Sequence, residues 1–356
     1  MQRSEFRVAR RRGGPIPRSV IALAAAAGLG AAGCGSSTPS SGDGTASGGP
    51  AVTTASSGPA GTTTSPGPTP TAGGTTVPAE FSGMVDIGGG RSIFMECRGS
   101  GTPTVVLVAG LGERADNWSQ TADPDQAGLG VFPEVATFSR VCAYDRPGTA
   151  TATASGWEMT DSTPVPQPIT AADAAADLDT LLKASGEAGP YVLVGHSFGG
   201  AIVRLYAGTY PATVAGVVLD DALSENLVDN LTPAQLVDFE QLNSPDIQGK
   251  PAGSESFEFA TLVQQMQAAP PIPDVPMVIL TADTFTITPE AIASGAFPPF
   301  VDQAFVDALW SAQLAAQDTL AASYPNAQHI TETNATHYIH VEQPQIVVDA
   351  IRDART

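Results

Sequence analysis

Short apolar runs punctuate the chain from Val105 onward, and stretches with helical spacing lie between them. Val105-Val106-Leu107-Val108 is a continuous run stopped by Gly110, the pattern of a strand buried on both faces. Val141-Cys142-Ala143-Tyr144 and residues 191–194, 214–219 and 277–280 repeat it, and 329–331 begin a sixth run. Residues 171–184, 198–210 and 346–352 carry helical periodicity with few breakers. Strand and helix alternating at this spacing predict a parallel sheet with helices on both faces. Upstream, residues 84–87 and 92–97, joined by Gly88-Gly89-Gly90, predict an antiparallel hairpin at one edge.

Residues 222–274 interrupt that rhythm. They hold two helix-like stretches, 233–242 and 256–268, separated by Pro and Gly. An insertion of this length is too long for a plain connection. It reads as a cap over a site, with a peripheral helical crossover as the alternative.

The first 79 residues follow neither pattern. Residues 1–18 carry six arginines and one glutamate, and the apolar run 20–32 is followed by Gly33-Cys34. A basic segment, an apolar segment of this length and small residues before a cut describe a signal peptide, and the run is too short to cross ~30 Å of hydrocarbon. Ala31-Ala32-Gly33-Cys34 is similar to a bacterial lipobox, whose cysteine is diacylated, although leucine is commoner where Ala31 stands. An ordinary cleaved signal with a coincidental cysteine is the alternative. Residues 35–79 are almost wholly Gly, Ser, Thr, Pro and Ala with Asp43 the one charge, a composition that cannot bury a core and predicts a flexible tether. The expected organisation is therefore a lipoprotein signal over 1–34, a tether over 35–79, and one large domain over 80–356 with its cap at about 222–274. The expected location is the outer face of a bacterial cell membrane, held by lipid on Cys34.

The formal net charge is −20, and removing residues 1–34 takes away six positive charges and one negative charge to leave −25. So acidic a surface argues against nucleic acid or anionic lipid as partners. Two cysteines, Cys97 and Cys142, remain in the domain, and export makes a disulfide between them chemically possible.

The chemistry concentrates at Gly195-His196-Ser197-Phe198-Gly199, which follows the 191–194 run directly and opens a helix. G-x-S-x-G alone is a weak signal, but its mechanism demands this strand–turn–helix context, which lifts the serine out on a strained turn. The Phe198 N–H then lies at a helix N-terminus, suited to bind an oxyanion. The alternative is a glycine-rich turn with a buried serine. Of four histidines, His196 precedes the serine and His329 falls inside the last strand. His337 and His340 lie just beyond it, and the first of that pair stands where a general base belongs.

With these residues in order, the chain resembles the α/β-hydrolases. Tyr144-Asp145-Arg146-Pro147-Gly148, Val194 to Gly200, Val214 to Leu219, and His337-Tyr338-Ile339-His340 with Glu342-Gln343-Pro344 carry the resemblance, which runs from about Phe81 to the C-terminus. It implies a mostly parallel eight-stranded sheet with a small helical cap, a Ser–His–acid triad and two-step acyl transfer. It implies no cofactor and no metal. The family's second oxyanion donor follows a His-Gly pair; here the pair is Ala109-Gly110, so the donor is the Leu111 N–H. The family position of the acid favours Asp283, with Asp221 as the alternative; Asp145 and Asp173 are expected to be structural. Sheet order in the family sets the second strand beside the fourth and so pairs Cys97 with Cys142, on the side away from the catalytic loops if the two strands run parallel. The implied activity is hydrolysis of a small-molecule carboxylic ester. A catalytically inactive binding module on the same fold, or a structural lipoprotein, stays open, as does the oligomeric state.

Overall fold

The structure is a computed structural model that describes residues 80–122 and 129–356. The expected signal segment, Cys34 and the tether over 35–79 lie outside the described residues. Gly88 to Gly90 all take positive φ and turn β1 (Phe81–Gly88) back along β2 (Arg91–Arg98) as the expected hairpin. The chain continues through β3 (Thr104–Val108), α1 (Val131–Ala136) and β4 (Val141–Tyr144). A small separate hairpin follows, β5 (Ala150–Thr153) with β6 (Gly156–Met159). Next come α2 (Ala171–Ser185), β7 (Tyr191–His196), α3 (Phe198–Thr209) and β8 (Val214–Asp220).

The insertion then supplies α4 (Pro233–Leu242) and α5 (Phe259–Gln267) before β9 (Met277–Leu280). A second excursion, not anticipated from the pattern, holds α6 (Pro289–Ala293) and the 20-residue α7 (Gln303–Ala322) ahead of β10 (Gln328–Ile330). Two short helices, α8 (Ile339–Glu342) and α9 (Pro344–Asp353), close the chain.

The eight main strands run in the order β1-β2-β4-β3-β7-β8-β9-β10. β2 is antiparallel to both its neighbours, and every other pair from β4 to β10 is parallel. Alternate residues feed two separate cores, as a period of two requires. On one face Val106, Val108 and Leu193 pack with Leu178 and Leu182 of α2 and Leu205 of α3. On the other, Val105, Leu107 and Val194 pack with Phe132 of α1 and Ile351 of α9. Leu107 has no exposed surface, so truncating it to alanine leaves a cavity of the kind that costs ~2–5 kcal/mol. Local signals agree with this packing: the Thr170 side chain caps α2 by accepting from the Asp173 N–H, and Gly186 ends it in the left-handed region.

The expected disulfide is present, Cys97 to Cys142 with Cα atoms 4.1 Å apart. The strand direction behind that expectation needs correction. β2 and β4 are antiparallel, with Cys97 directly opposite Cys142. Only an antiparallel pair sets the end of one strand level with the start of the other, which is how the two side chains meet.

Candidate active site

At the β7–α3 junction Ser197 has φ 52° and ψ −121°, a strained conformation for a side chain with a Cβ. Hydrogen bonds hold it there. The Ser197 N–H donates to the Asp220 carbonyl at 3.1 Å, and the Ser197 carbonyl accepts from Leu223 and Gly200, each at 2.9 Å. The flanking glycines are required by close approach. A Cβ on Gly199 would strike the Val108 and Ala109 carbonyl oxygens, and one on Gly195 would strike the Gly199 carbonyl and the Gly200 Cα.

His337 lies on the loop between β10 and α8, and its Nδ1 is 2.6 Å from Asp221 Oδ2. Asp221 directly follows β8 with φ 40°. Its backbone N–H donates to the Leu280 carbonyl at 2.9 Å, and its Oδ1 accepts from the Ala282 N–H at 3.1 Å. The preference for Asp283 as the carboxylate facing His337 is corrected by this geometry. Asp283 accepts from the backbone N–H groups of Asn334 at 2.9 Å and Ala335 at 3.1 Å. It ties down the loop that carries the histidine and leaves the ring to Asp221. Adjacent residues at a strand end point to opposite faces, so Asp220 serves the other histidine: its Oδ2 is 2.7 Å from His340 Nδ1. His340 is fully buried, whereas the His337 side chain is 28% exposed and opens into the pocket that holds Ser197. His329 sits in β10 with its Nε2 2.9 Å from the Thr281 hydroxyl.

Behind the serine lies a buried polar cluster in which Glu113 takes a part the sequence did not announce. His196 Nδ1 is 3.1 Å from Glu113 Oε2, and His196 Nε2 is 2.9 Å from the His337 carbonyl oxygen. Burial works against charge on His196, but the Glu113 carboxylate outweighs it and raises His196 to about 9. The protonated ring then donates from both nitrogens, bracing the turn before Ser197 against the His337 loop. The same pairing drives Glu113 well below the usual carboxylate range despite its burial. Burial, reinforced by the positive His196 beside it, lowers His340.

In front of Ser197 a pocket of about 810 Å³, counting its open mouth, is lined by Leu111, Phe198, Asp221 and His337 among others. The insertion contributes Leu223, Phe239, Leu242, Asn243 and Phe257 to its wall. The second excursion contributes Phe285, Ile287, Leu309, Trp310 and Gln313. The residues over the site therefore come from two segments, of which 222–274 is one. Aromatic pairs stiffen both: Phe257 stacks on Phe198 with centroids 5.2 Å apart, and Phe285 meets Trp310 at 5.1 Å. Among the described residues that line the pocket, Asp221 and His337 are the only ones with an acidic or basic side chain. The backbone N–H groups of Leu111 and Phe198 have no acceptor among the described residues.

A strained, glycine-flanked serine turn between strand and helix, on an eight-stranded sheet of this order, is the architecture of the α/β-hydrolases. Residues 103–344 match the family model described as alpha/beta hydrolase fold, and the chain belongs to that family. Among curated proteins it is 28% identical over 149 residues to a probable transporter, efuK, of Hormonema carpetanum, covering 40% of this chain and 19% of that protein. It is 30% identical over 152 residues to an uncharacterized protein of Schizosaccharomyces pombe, covering 36% and 26%. The match thus spans about a quarter or less of those relatives. Among solved structures, a thermophilic esterase from Thermogutta terrifontis aligns over 77% of this chain and 96% of its own at 19% identity and TM-score 0.49.

Proposed function

We propose that the chain is a serine hydrolase that cleaves an uncharged carboxylic ester through an acyl-enzyme. The observation that carries this reading is Ser197, half-buried on a strained turn in one pocket with His337, whose Nδ1 is 2.6 Å from Asp221. The Asp221 carboxylate accepts the Nδ1–H and so leaves Nε2 free as the base, since the tautomer is fixed by the bond the other nitrogen makes. His337 takes the Ser197 proton as the Oγ attacks the ester carbonyl. The carbonyl oxygen gains charge and is held by the Leu111 and Phe198 N–H groups. Collapse expels the alcohol with the proton from His337. Water, activated by the same ring, then releases the acid. Ser197 and His337 are not hydrogen-bonded to each other in this structure, and such contacts commonly tighten only once substrate is bound.

The pocket wall, mostly apolar with Asn243, Thr284, Thr286 and Gln313 as its neutral polar members, supports an uncharged substrate, because a charged group entering it loses hydration and meets no charged side chain beyond Asp221 and His337. Labelling with a fluorophosphonate, followed by peptide mapping, tests the assignment: the adduct is expected on Ser197, together with turnover of p-nitrophenyl esters. Absence of both would mean that the fold serves as a binding module instead. For location we propose lipidation of Cys34, motivated by the basic, apolar and small-residue order before it. Mass spectrometry of the mature N-terminus is expected to find diacylglycerol there, and an unmodified N-terminus at any other residue would refute it.

A further inference from the structure

We infer that Glu255, between α4 and α5 of the insertion, is a positioning residue for the oxyanion donor Leu111, acting with Arg146; the inference rests on the serine-hydrolase reading above. The loop after β3, Ala109 to Glu113, has its peptide groups assigned one by one. The Ala109 carbonyl accepts from Arg146 Nη1 at 2.9 Å and the Gly110 carbonyl from Nη2 at 2.6 Å. The Gly110 N–H donates to Glu113 Oε2 at 2.9 Å. The Gly112 N–H donates to Glu255 Oε2 at 2.6 Å, and the Gly112 carbonyl accepts from the Ala150 N–H at 3.0 Å. The N–H groups of Gly110 and Gly112, on either side of Leu111, are thereby committed to Glu113 and Glu255, whereas the Leu111 N–H has no acceptor among the described residues.

Glu255 is central to that arrangement. Its Oε1 accepts from Arg146 Nε at 2.6 Å, and its Oε2 accepts from Nη2 at 2.8 Å as well as from Gly112. Both side chains are buried, at 2% and 0% exposure. A planar guanidinium held on one edge by a carboxylate can offer its other donors in fixed directions, here to two successive carbonyls. The carboxylate is itself fixed by backbone: the Glu255 N–H donates to the Gly148 carbonyl at 2.8 Å, and the Ser256 N–H donates to Gln167 Oε1 at 2.9 Å. Two residues further on, Phe257 enters the substrate wall and stacks on Phe198, the residue of the other donor. The insertion thus meets the site twice, in front through Phe257 and behind through Glu255. An oxyanion hole assembled by the segment that covers the substrate is the consequence.

Glu255→Gln tests this. The amide keeps the volume but offers one acceptor oxygen where three donors now converge, and sets an NH2 against the others. The expected result is a kcat lowered roughly 10- to 100-fold, at or below the lower end of the ~10²–10³-fold cost of removing one oxyanion donor outright, with KM within about threefold of wild type. A trifluoromethyl ketone, which adds to Ser197 and develops the same oxyanion, should bind weaker by the same factor as kcat falls. The corresponding methylene compound, with no carbonyl, should bind unchanged. A purely structural role predicts a lower Tm with kcat per folded molecule unaltered, and that outcome overturns the inference. Should Glu255→Gln not fold, Arg146→Lys carries the same measurements, because an ammonium cannot serve both carbonyls and Glu255 in one plane. A wild type without ester turnover overturns both this inference and the hydrolase reading. Turnover that is indifferent to both substitutions overturns this one alone.

Discussion

In front of Ser197 the walls are mostly Leu, Ile, Phe and Trp from two segments of chain, whereas behind it Arg146, Glu255 and His196 are buried and paired, Arg146 with Glu255 and His196 with the half-buried Glu113. Each region suits what it touches. A buried charge is tolerated where its partners are fixed and close, and such partners hold backbone groups in one orientation. The front binds by removing apolar surface from water, which is permissive about shape. The division assigns geometry to the rear and affinity to the front, with Ser197 at the boundary.

Substitutions can break this division at different depths. Removing the boundary has the largest expected effect: Ser197→Ala should lower kcat on the order of 10⁴-fold or more with Tm unchanged, because the turn is held by backbone and glycines. A tenth of wild-type activity in pure protein would refute the assignment. Asp221→Asn should cost roughly 10²–10⁴-fold by releasing the His337 tautomer, whereas Asp283→Asn, at a side chain bonded to loop backbone and the Thr284 hydroxyl, should cost less than about tenfold. Equal losses in ester assays would mean that the 2.6 Å contact is not the catalytic one.

The front is probed by substrate. A p-nitrophenyl hexanoate should exceed the hemiglutarate in kcat/KM by roughly 100-fold, since burying an unpaired carboxylate costs several kcal/mol before partial solvation is counted. Comparable values would show that charge is accommodated there.

The smallest effect belongs to the rear and to pH. Glu113 holds His196 at about 9 in the folded chain, against ~6.5 unfolded. The folded protein keeps a proton that the unfolded chain has lost, so this stabilisation is full below ~6.5 and disappears as pH rises through about 9. Urea unfolding should therefore show the wild type losing on the order of 1–3 kcal/mol more across that window than Glu113→Gln. Parallel curves would remove the His196–Glu113 pair as the source.

The sequence made the sheet and the nucleophile turn legible because both are local patterns: β-branched runs for buried strands, and glycines around a serine between strand and helix. β5 and β6 were not legible, since Ala150–Thr153 and Gly156–Met159 form an exposed two-stranded hairpin without a buried face to impose alternation. α7 left a usable trace, with Phe305, Val306, Leu309, Ala312, Ala316 and Leu320 on its buried side at helical spacing. The choice between Asp221 and Asp283 was not local at all. It depends on how the end of β8 is strained and on which carboxylate the His337 loop uses for its backbone. The trace available was numerical: two adjacent aspartates, Asp220 and Asp221, face two histidines three residues apart. Glu255 is similarly silent, because its meaning comes from Gly112, 143 residues earlier in the chain.

The Cys97–Cys142 bond spans 45 residues of sequence, and the ring it closes contains all of β3 and the Leu111 loop. A protease cut anywhere between the two cysteines then releases no fragment, because both new ends stay tethered through sulfur and through the sheet. Such nicked protein would migrate as one species until reduced. The Leu111 loop, proposed above to hold the oxyanion, would remain covalently leashed to the strands that frame it, so a single break in that stretch of backbone need not be fatal to activity.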